Sequence, residues 1–219
     1  IDSKFRKYFF AVMDRRFSQT IDKKMKSDSF LMKEVLDFRM KKFLENEKER
    51  KVREVVCVEK VITDKILLGK EFFNFTARVD RIDRLTDNSL LVLDYKTGSH
   101  DAVPKNICRL KETGFSRQAI KNIMGSFQLP LYLYFAQNIY KDSKINAALY
   151  SLREFNRDFG LKKFLNSEED FARKDEIMEV FTQALGFVIQ EILDPEVPFV
   201  ADDEDPYRCK NCPFFYLCR

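Results

Sequence analysis

An aspartate and a lysine, Asp94 and Lys96, stand one residue apart at the end of the apolar run "LLVLDYKTG". Residues two apart in an extended chain point to the same side, so a carboxylate and an ammonium are held together at the end of an anchored strand. Such a pair is either a surface ion pair, worth at most about 1 kcal/mol, or two parts of a metal-dependent site. A third group bears on that choice. In "TARVDRID" the apolar-polar alternation places Asp80 inside a β-run, where a carboxylate costs free energy unless it is ligated or hydrogen-bonded. The "LTDNS" after it is a turn signal, and a hairpin folded across it brings Asp80 close to Asp94, within reach of one shared divalent cation. Two carboxylates and water make a hard-oxygen set suited to Mg2+ or Mn2+. Lys96 is then placed to orient or help deprotonate a water, or to offset charge developing on a phosphate.

Other residues are candidates with plainer alternatives. Gln128 and Tyr132 are four apart in "FQLPLYLYF" and share a helix face, a weak signal taken alone. Glu59, on an earlier strand, is a further acidic candidate. Asp83 is expected to face away from Asp80 as a solvated partner of Arg81 or Arg84. Cys209, Cys212 and Cys218 have the Cys-x2-Cys-x5-Cys spacing, which suits zinc or an iron-sulfur cluster, although either normally takes four ligands. His100 is the chain's one histidine and sits in a glycine-containing loop, so a scheme needing several imidazoles is excluded within this segment. Cys57 reads as core. Cys108, among Lys105, Arg109 and Lys111, lies in a basic loop where phosphate contacts or simple solvation are both open.

The elements that must position these groups are set by periodicity. Residues 2 to about 21 and about 29 to 50 carry apolar side chains at helical spacing and read as scaffold. From about 52 the chain turns to β-branched and aromatic residues, and three strands in a meander are expected, the last ending in Asp94 and Lys96. Residues 98–115 read as an exposed loop. A long helix is expected from Ser116 to about Tyr140, then a strand at "INAALYSLRE". A second long helix comes next, capped near Ser167, stopped by Pro195, and packed through Phe171, Phe181 and Phe187. This order implies an α/β (mixed α+β) fold, a mixed central sheet flanked by helices. Residues 1–51 would be a helical scaffold of the same domain, 52–200 the core and 201–219 a cysteine tail. With 219 residues, 45% hydrophobic and 34% charged, the chain can bury a core and is not a disordered polymer. A net charge of +4 permits nucleic-acid binding without demanding it. Three cysteines crowded into the last eleven residues argue against a secreted disulfide framework. A cytoplasmic protein without a membrane span, and a piece of a longer chain, is expected.

"ARVDRID" followed by "LLVLDYKTG" resembles the core of the PD-(D/E)XK nuclease superfamily, in its RecB-like branch, where a Gly-x-x-Asp-Arg-x-Asp strand precedes Asp-Tyr-Lys-Thr-Gly. Ala77 stands where that branch usually has glycine. The resemblance implies a restriction-endonuclease-like core, Asp80 and Asp94 as ligands of Mg2+ or Mn2+, and Lys96 as the catalytic lysine. It also matches Gln128 and Tyr132 to a Gln-x-x-x-Tyr pair that supports the site and the nucleic acid. The tail resembles the end of AddB-type helicase-nuclease subunits, where three such cysteines close a [4Fe-4S] cluster and a fourth lies upstream. Neither Cys57 nor Cys108 is in that position, so the cluster is expected to be incomplete here, and the family's early histidine is absent. Together these resemblances imply a metal-dependent deoxyribonuclease, exonucleolytic rather than endonucleolytic, in DNA repair and recombination. Its partners would be DNA and a helicase motor on the same chain or in a companion subunit. The rivals are a non-catalytic DNA-binding module that keeps the fold, and a CRISPR-adaptation-type iron-sulfur nuclease.

Overall fold

The computed structural model describes residues 1–21, 29–98, 102–141, 144–153, 160–200, 209–210, 212–213 and 215. Two helices come first, α1 (Ser3–Thr20) and α2 (Ser29–Glu49). The Asp2 side chain starts α1 by accepting from the Phe5 amide at 2.7 Å, which satisfies one of the free N–H groups of the first turn.

The meander expected from residue 52 is present and longer than the β-rich stretch alone implies. β1 (Val52–Leu68) runs antiparallel to β2 (Glu71–Leu85), from Val52↔Leu85 to Leu68↔Glu71. Gly69, at φ 66°, makes the reversal. β2 then pairs antiparallel with β3 (Leu90–Lys96). The turn between them is the one that "TDNS" signals: Asn88 adopts φ 67° and Asp87 accepts from the Ser89 amide at 3.0 Å. β4 (Ile145–Ser151) lies parallel to β3, and β5 (Leu161–Lys163), which periodicity did not indicate, pairs antiparallel with β4. The strand order is β1-β2-β3-β4-β5, a mixed sheet flanked by helices as the element order implied.

Both faces of β3 are covered, which is why "LLVLD" reads as continuous rather than alternating. Leu90 and Val92 face a large core with Ile82, Leu133, Phe135 and Phe181, whereas Leu91 and Leu93 face a smaller one with Ala148 and Tyr150, against which Phe43 packs. The end of α2 closes that smaller core with charge as well as with Phe43. Arg50 donates to Glu47 at 2.6 Å and to Asp83 at 2.7 Å, and Arg81 donates to Asp83 and to Glu47, each at 2.6 Å. Asp83 is therefore a partner of Arg81 as expected but not a solvated one, since its exposure is 0%. The sheet's second face is roofed by α2, a fact alternation within β2 does not contain.

Three further expectations are corrected. The span 98–115 is not simply an exposed loop: a 3-10 turn (Ile107–Arg109) and α3 (Leu110–Thr113) bury Ile107 and Leu110. Burial of two such side chains, about 2 kcal/mol each, outweighs the polar residues around them. The helix expected from Ser116 to Tyr140 is two, α4 (Arg117–Met124) and α5 (Gln128–Ile139), separated by Gly125 at φ 60°. The last helix is also divided, into α6 (Glu168–Ala172) and α7 (Lys174–Leu193), although Ser167 caps α6 in a reciprocal capping box with Asp170. Phe181 is buried within α7, and Phe171 and Phe187 pack against the core. No helix among the described residues is long and apolar enough to cross a membrane.

Candidate active site

Asp80 and Asp94 meet through strand register. The last β2–β3 pair is Arg81↔Leu93, which leaves Asp80 and Asp94 as the next residues of the two antiparallel strands, just beyond the end of the ladder. The hairpin contact is direct, because Asp80 Oδ2 accepts the backbone N–H of Tyr95 at 2.7 Å. Asp94 is buried at 5% exposure. Lys96 Nζ lies 3.0 Å from its Oδ2 and keeps 27% side-chain exposure, so the ammonium joins a buried carboxylate to solvent.

The Asp94 carboxylate is divided between two sets of neighbours. Gln128 opens α5, and its Nε2 donates to Asp94 Oδ1 at 2.7 Å and to the Tyr132 hydroxyl at 2.8 Å. The Tyr132 hydroxyl in turn lies 2.8 Å from the Arg78 carbonyl and 3.2 Å from Asp94 Oδ1, to either of which it donates its single proton. The break at Gly125 matters here, because it starts a fresh helix whose first two turns deliver both residues. Among the described residues Asp94 Oδ2 has no hydrogen bond beyond its ion pair with Lys96. Burial raises the Asp94 pKa above the usual carboxylate value, opposed by Lys96 and reinforced by the charge of Asp80. Burial also pushes Tyr132 up to about 12, with Gln128 opposing and Asp94 reinforcing, so Tyr132 is a hydrogen-bond donor and not a base.

A divalent cation suits this arrangement. Two carboxylates are forced together, one of them buried with a lone-pair face free of hydrogen bonds, and a cation between them relieves both the repulsion and the desolvation. Among the described residues no group of three or more histidine, cysteine or acidic side chains is placed to hold a metal, so water would complete the coordination of a two-carboxylate site.

Glu59 is in the same row. Val58↔Arg81 and Lys60↔Val79 put it opposite Asp80, but its carboxylate pairs with Arg78 at 2.6 Å and remains largely exposed. Its backbone, at φ 51°, is in the left-handed region, an irregularity within a strand. Cys209 and Cys212 lie on one turn, where the Cys212 amide donates to the Cys209 carbonyl at 3.1 Å, and Cys218 lies outside the described residues, as does His100. Cys57 packs against the main core, and Cys108 lines a groove of about 690 Å³ with Lys105, Arg109 and Glu176. The described thiols do not assemble a four-sulfur set. Sequence reasoning missed Tyr95, whose hydroxyl receives a hydrogen bond from Arg81 at 3.1 Å. The place between Asp94 and Lys96 was its only signal.

A family profile described as "PD-(D/E)XK nuclease superfamily" matches residues 4–219. No curated protein matches the chain. Among solved structures, one described as "Crystal structure of SSO0001" is similar at 15% identity, over 97% of this chain and 80% of that one, with a TM-score of 0.34.

Proposed function

From the premise that the chain belongs to the PD-(D/E)XK nuclease superfamily, we propose that it is a metal-dependent deoxyribonuclease that hydrolyses DNA phosphodiesters. The observation that carries this reading is the buried Asp94 carboxylate, set across the hairpin from Asp80 with the Lys96 ammonium 3.0 Å from its Oδ2. Asp80 and Asp94 would hold Mg2+ or Mn2+, which when bound would supply Lewis-acid polarisation of the phosphate and a more acidic water.

The chain's own groups have separate tasks. Gln128 and Tyr132 hold Asp94 Oδ1 and so leave Oδ2 turned toward Lys96. Lys96 orients the attacking water and offsets charge as the water oxygen bonds to phosphorus and the P–O bond to the leaving sugar breaks. Asp80 is held by the Tyr95 amide, which keeps the two carboxylates facing one another. The site lies at the end of β3, and the partly exposed lysine gives an extended phosphodiester a way in.

The finer reading is a RecB/AddB-like nuclease domain of DNA repair and recombination, exonucleolytic, with DNA and a helicase motor as partners. Its support is the order of the motifs at Asp80, Asp94, Lys96, Gln128 and Tyr132 and the cysteines at 209, 212 and 218. In this reading the tail contributes Cys209, Cys212 and Cys218 to an iron-sulfur cluster whose fourth thiolate comes from elsewhere.

The test is degradation of end-labelled single- and double-stranded DNA with Mg2+ or Mn2+, beside Lys96→Ala. Cleavage that requires both the metal and Lys96 is expected, with Lys96→Ala at least about a hundredfold slower. DNA binding without metal-dependent cleavage would replace the enzyme with a non-catalytic binding module.

A further inference from the structure

Past Leu93, β3 loses one of its two backbone neighbours. The β2–β3 ladder ends at Arg81↔Leu93, whereas β3 stays paired with β4 as far as Lys96↔Ser151. Among the described residues, the backbone ladder that holds Asp94, Tyr95 and Lys96 is the one on the β4 side. On the β2 side two side chains replace it: Asp80 accepts the Tyr95 amide at 2.7 Å, and Arg81 Nη1 donates to the Tyr95 hydroxyl at 3.1 Å.

Tyr95 points to the face opposite Asp94 and Lys96, because side chains alternate along a strand. There its ring packs against Phe43 and Tyr150, at centroid distances of 6.0 and 5.5 Å. Any twist of the strand end that redirects Asp94 and Lys96 must pull Tyr95 from this packing and from Arg81. Arg81 is itself fixed. Its Nε and Nη1 bond Asp83 and Glu47, while Arg50 bonds the second oxygen of each carboxylate, so all four carboxylate oxygens are used. Replacing a buried ion cluster with apolar side chains is often neutral for stability or better, so stability alone is a weak reason for this one.

We propose that Glu47, Arg50, Arg81 and Asp83 form a positioning device that acts through the Tyr95 hydroxyl and sets the direction of Asp94 and Lys96, an inference that rests on the nuclease reading. Helix α2, remote from the reacting groups in sequence, thereby belongs to the support of the site. The five are positioning residues: none faces the side of the sheet on which Asp94 and Lys96 lie.

Tyr95→Phe removes only the hydroxyl. The expected result is a melting temperature within about 3 °C of the parent, a kcat on DNA lowered about tenfold and an unchanged KM. A purely structural role would instead lower the melting temperature and leave the kcat of the folded enzyme intact. Glu47→Gln, which keeps the shape of the quartet and removes one charge, takes its place if Tyr95→Phe does not fold; its melting temperature falls in either case, so the same lowered kcat at unchanged KM, read at a temperature where the variant is folded, is the expected result. Wild-type kcat in the folded variant overturns the proposal while leaving the nuclease reading in place. If the parent protein cleaves no DNA with either metal, it is the nuclease reading that fails, and amide hydrogen exchange decides the positioning role. Faster exchange at Tyr95 and Lys96 in Tyr95→Phe, with Leu91 and Leu93 still protected, sustains it, and unchanged protection overturns it.

Discussion

Oδ1 of Asp94 receives Gln128 and lies 3.2 Å from the Tyr132 hydroxyl while Oδ2 faces Lys96, so the groups of one helix are gathered on one oxygen and the other is left toward the lysine. Tyr132→Phe tests that division. It removes the one proton that the Arg78 carbonyl and Asp94 Oδ1 share and leaves Gln128 without one acceptor, at a cost of about 1–3 kcal/mol. Activity is expected to fall by roughly tenfold with Mn2+ affinity weakened, and urea melts with a metal titration check both; unchanged metal affinity would show that Oδ1 needs no second donor. At this scale the sequence was informative because chemistry was written in spacing. Asp94 and Lys96 share a side by strand period, and Gln128 and Tyr132 share a face by helix period. Asp83 was misread because its neighbours Arg50 and Glu47 lie 33 and 36 positions upstream, beyond the reach of any local pattern.

At the scale of elements, the α2 end is joined to the sheet by buried charge, and its hold depends on acidity. Burial works to raise the Glu47 pKa, but the charges and hydrogen bonds of Arg50 and Arg81 prevail and lower it below the ordinary value of 4.5. A carboxylate with a depressed folded-state pKa contributes stability that is fully present above its unfolded value and is lost as the pH falls through the folded one. Urea melts from pH 7 to pH 3 should therefore show a loss that begins below about pH 4.5 in the parent. Glu47→Gln should start on the order of 3 kcal/mol less stable at pH 7 and converge on the parent in acid. Parallel curves would assign the acid loss to other carboxylates. Element boundaries were less legible than element types. The helical period runs through Gly125 without a break, and only its positive φ, with the Ala102 Cβ 2.9 Å from where a Cβ would stand, shows why two helices meet there. The strand β5 has three residues, too few for alternation to register.

For the molecule as a whole, the sheet is a partition: its α5 face carries the carboxylates and its α2 face carries the neutral quartet that steadies them. The hairpin and the mixed sheet could be read from turn residues and β-rich runs, but the α2 roof could not, since the apolar spacing of a helix gives no sign of what its last turn covers. The partition makes a thermodynamic prediction about the candidate cation. Burial opposes the ionised form of Asp94, so a charged carboxylate in the folded state without a cation carries a cost that the unfolded chain does not. A cation bound only by the folded state should add about 2.7 kcal/mol at a hundredfold excess over its Kd, on the order of 5–10 °C in melting temperature for a chain of this size. Asp94→Asn removes both that cost and the ligand. It should melt no lower than the parent without Mn2+ and should not respond to Mn2+, as followed by calorimetry across a titration. An equal rise in parent and variant would place the cation elsewhere on the protein, whereas a response confined to the parent would tie it to the pair of strands that carry Asp80 and Asp94.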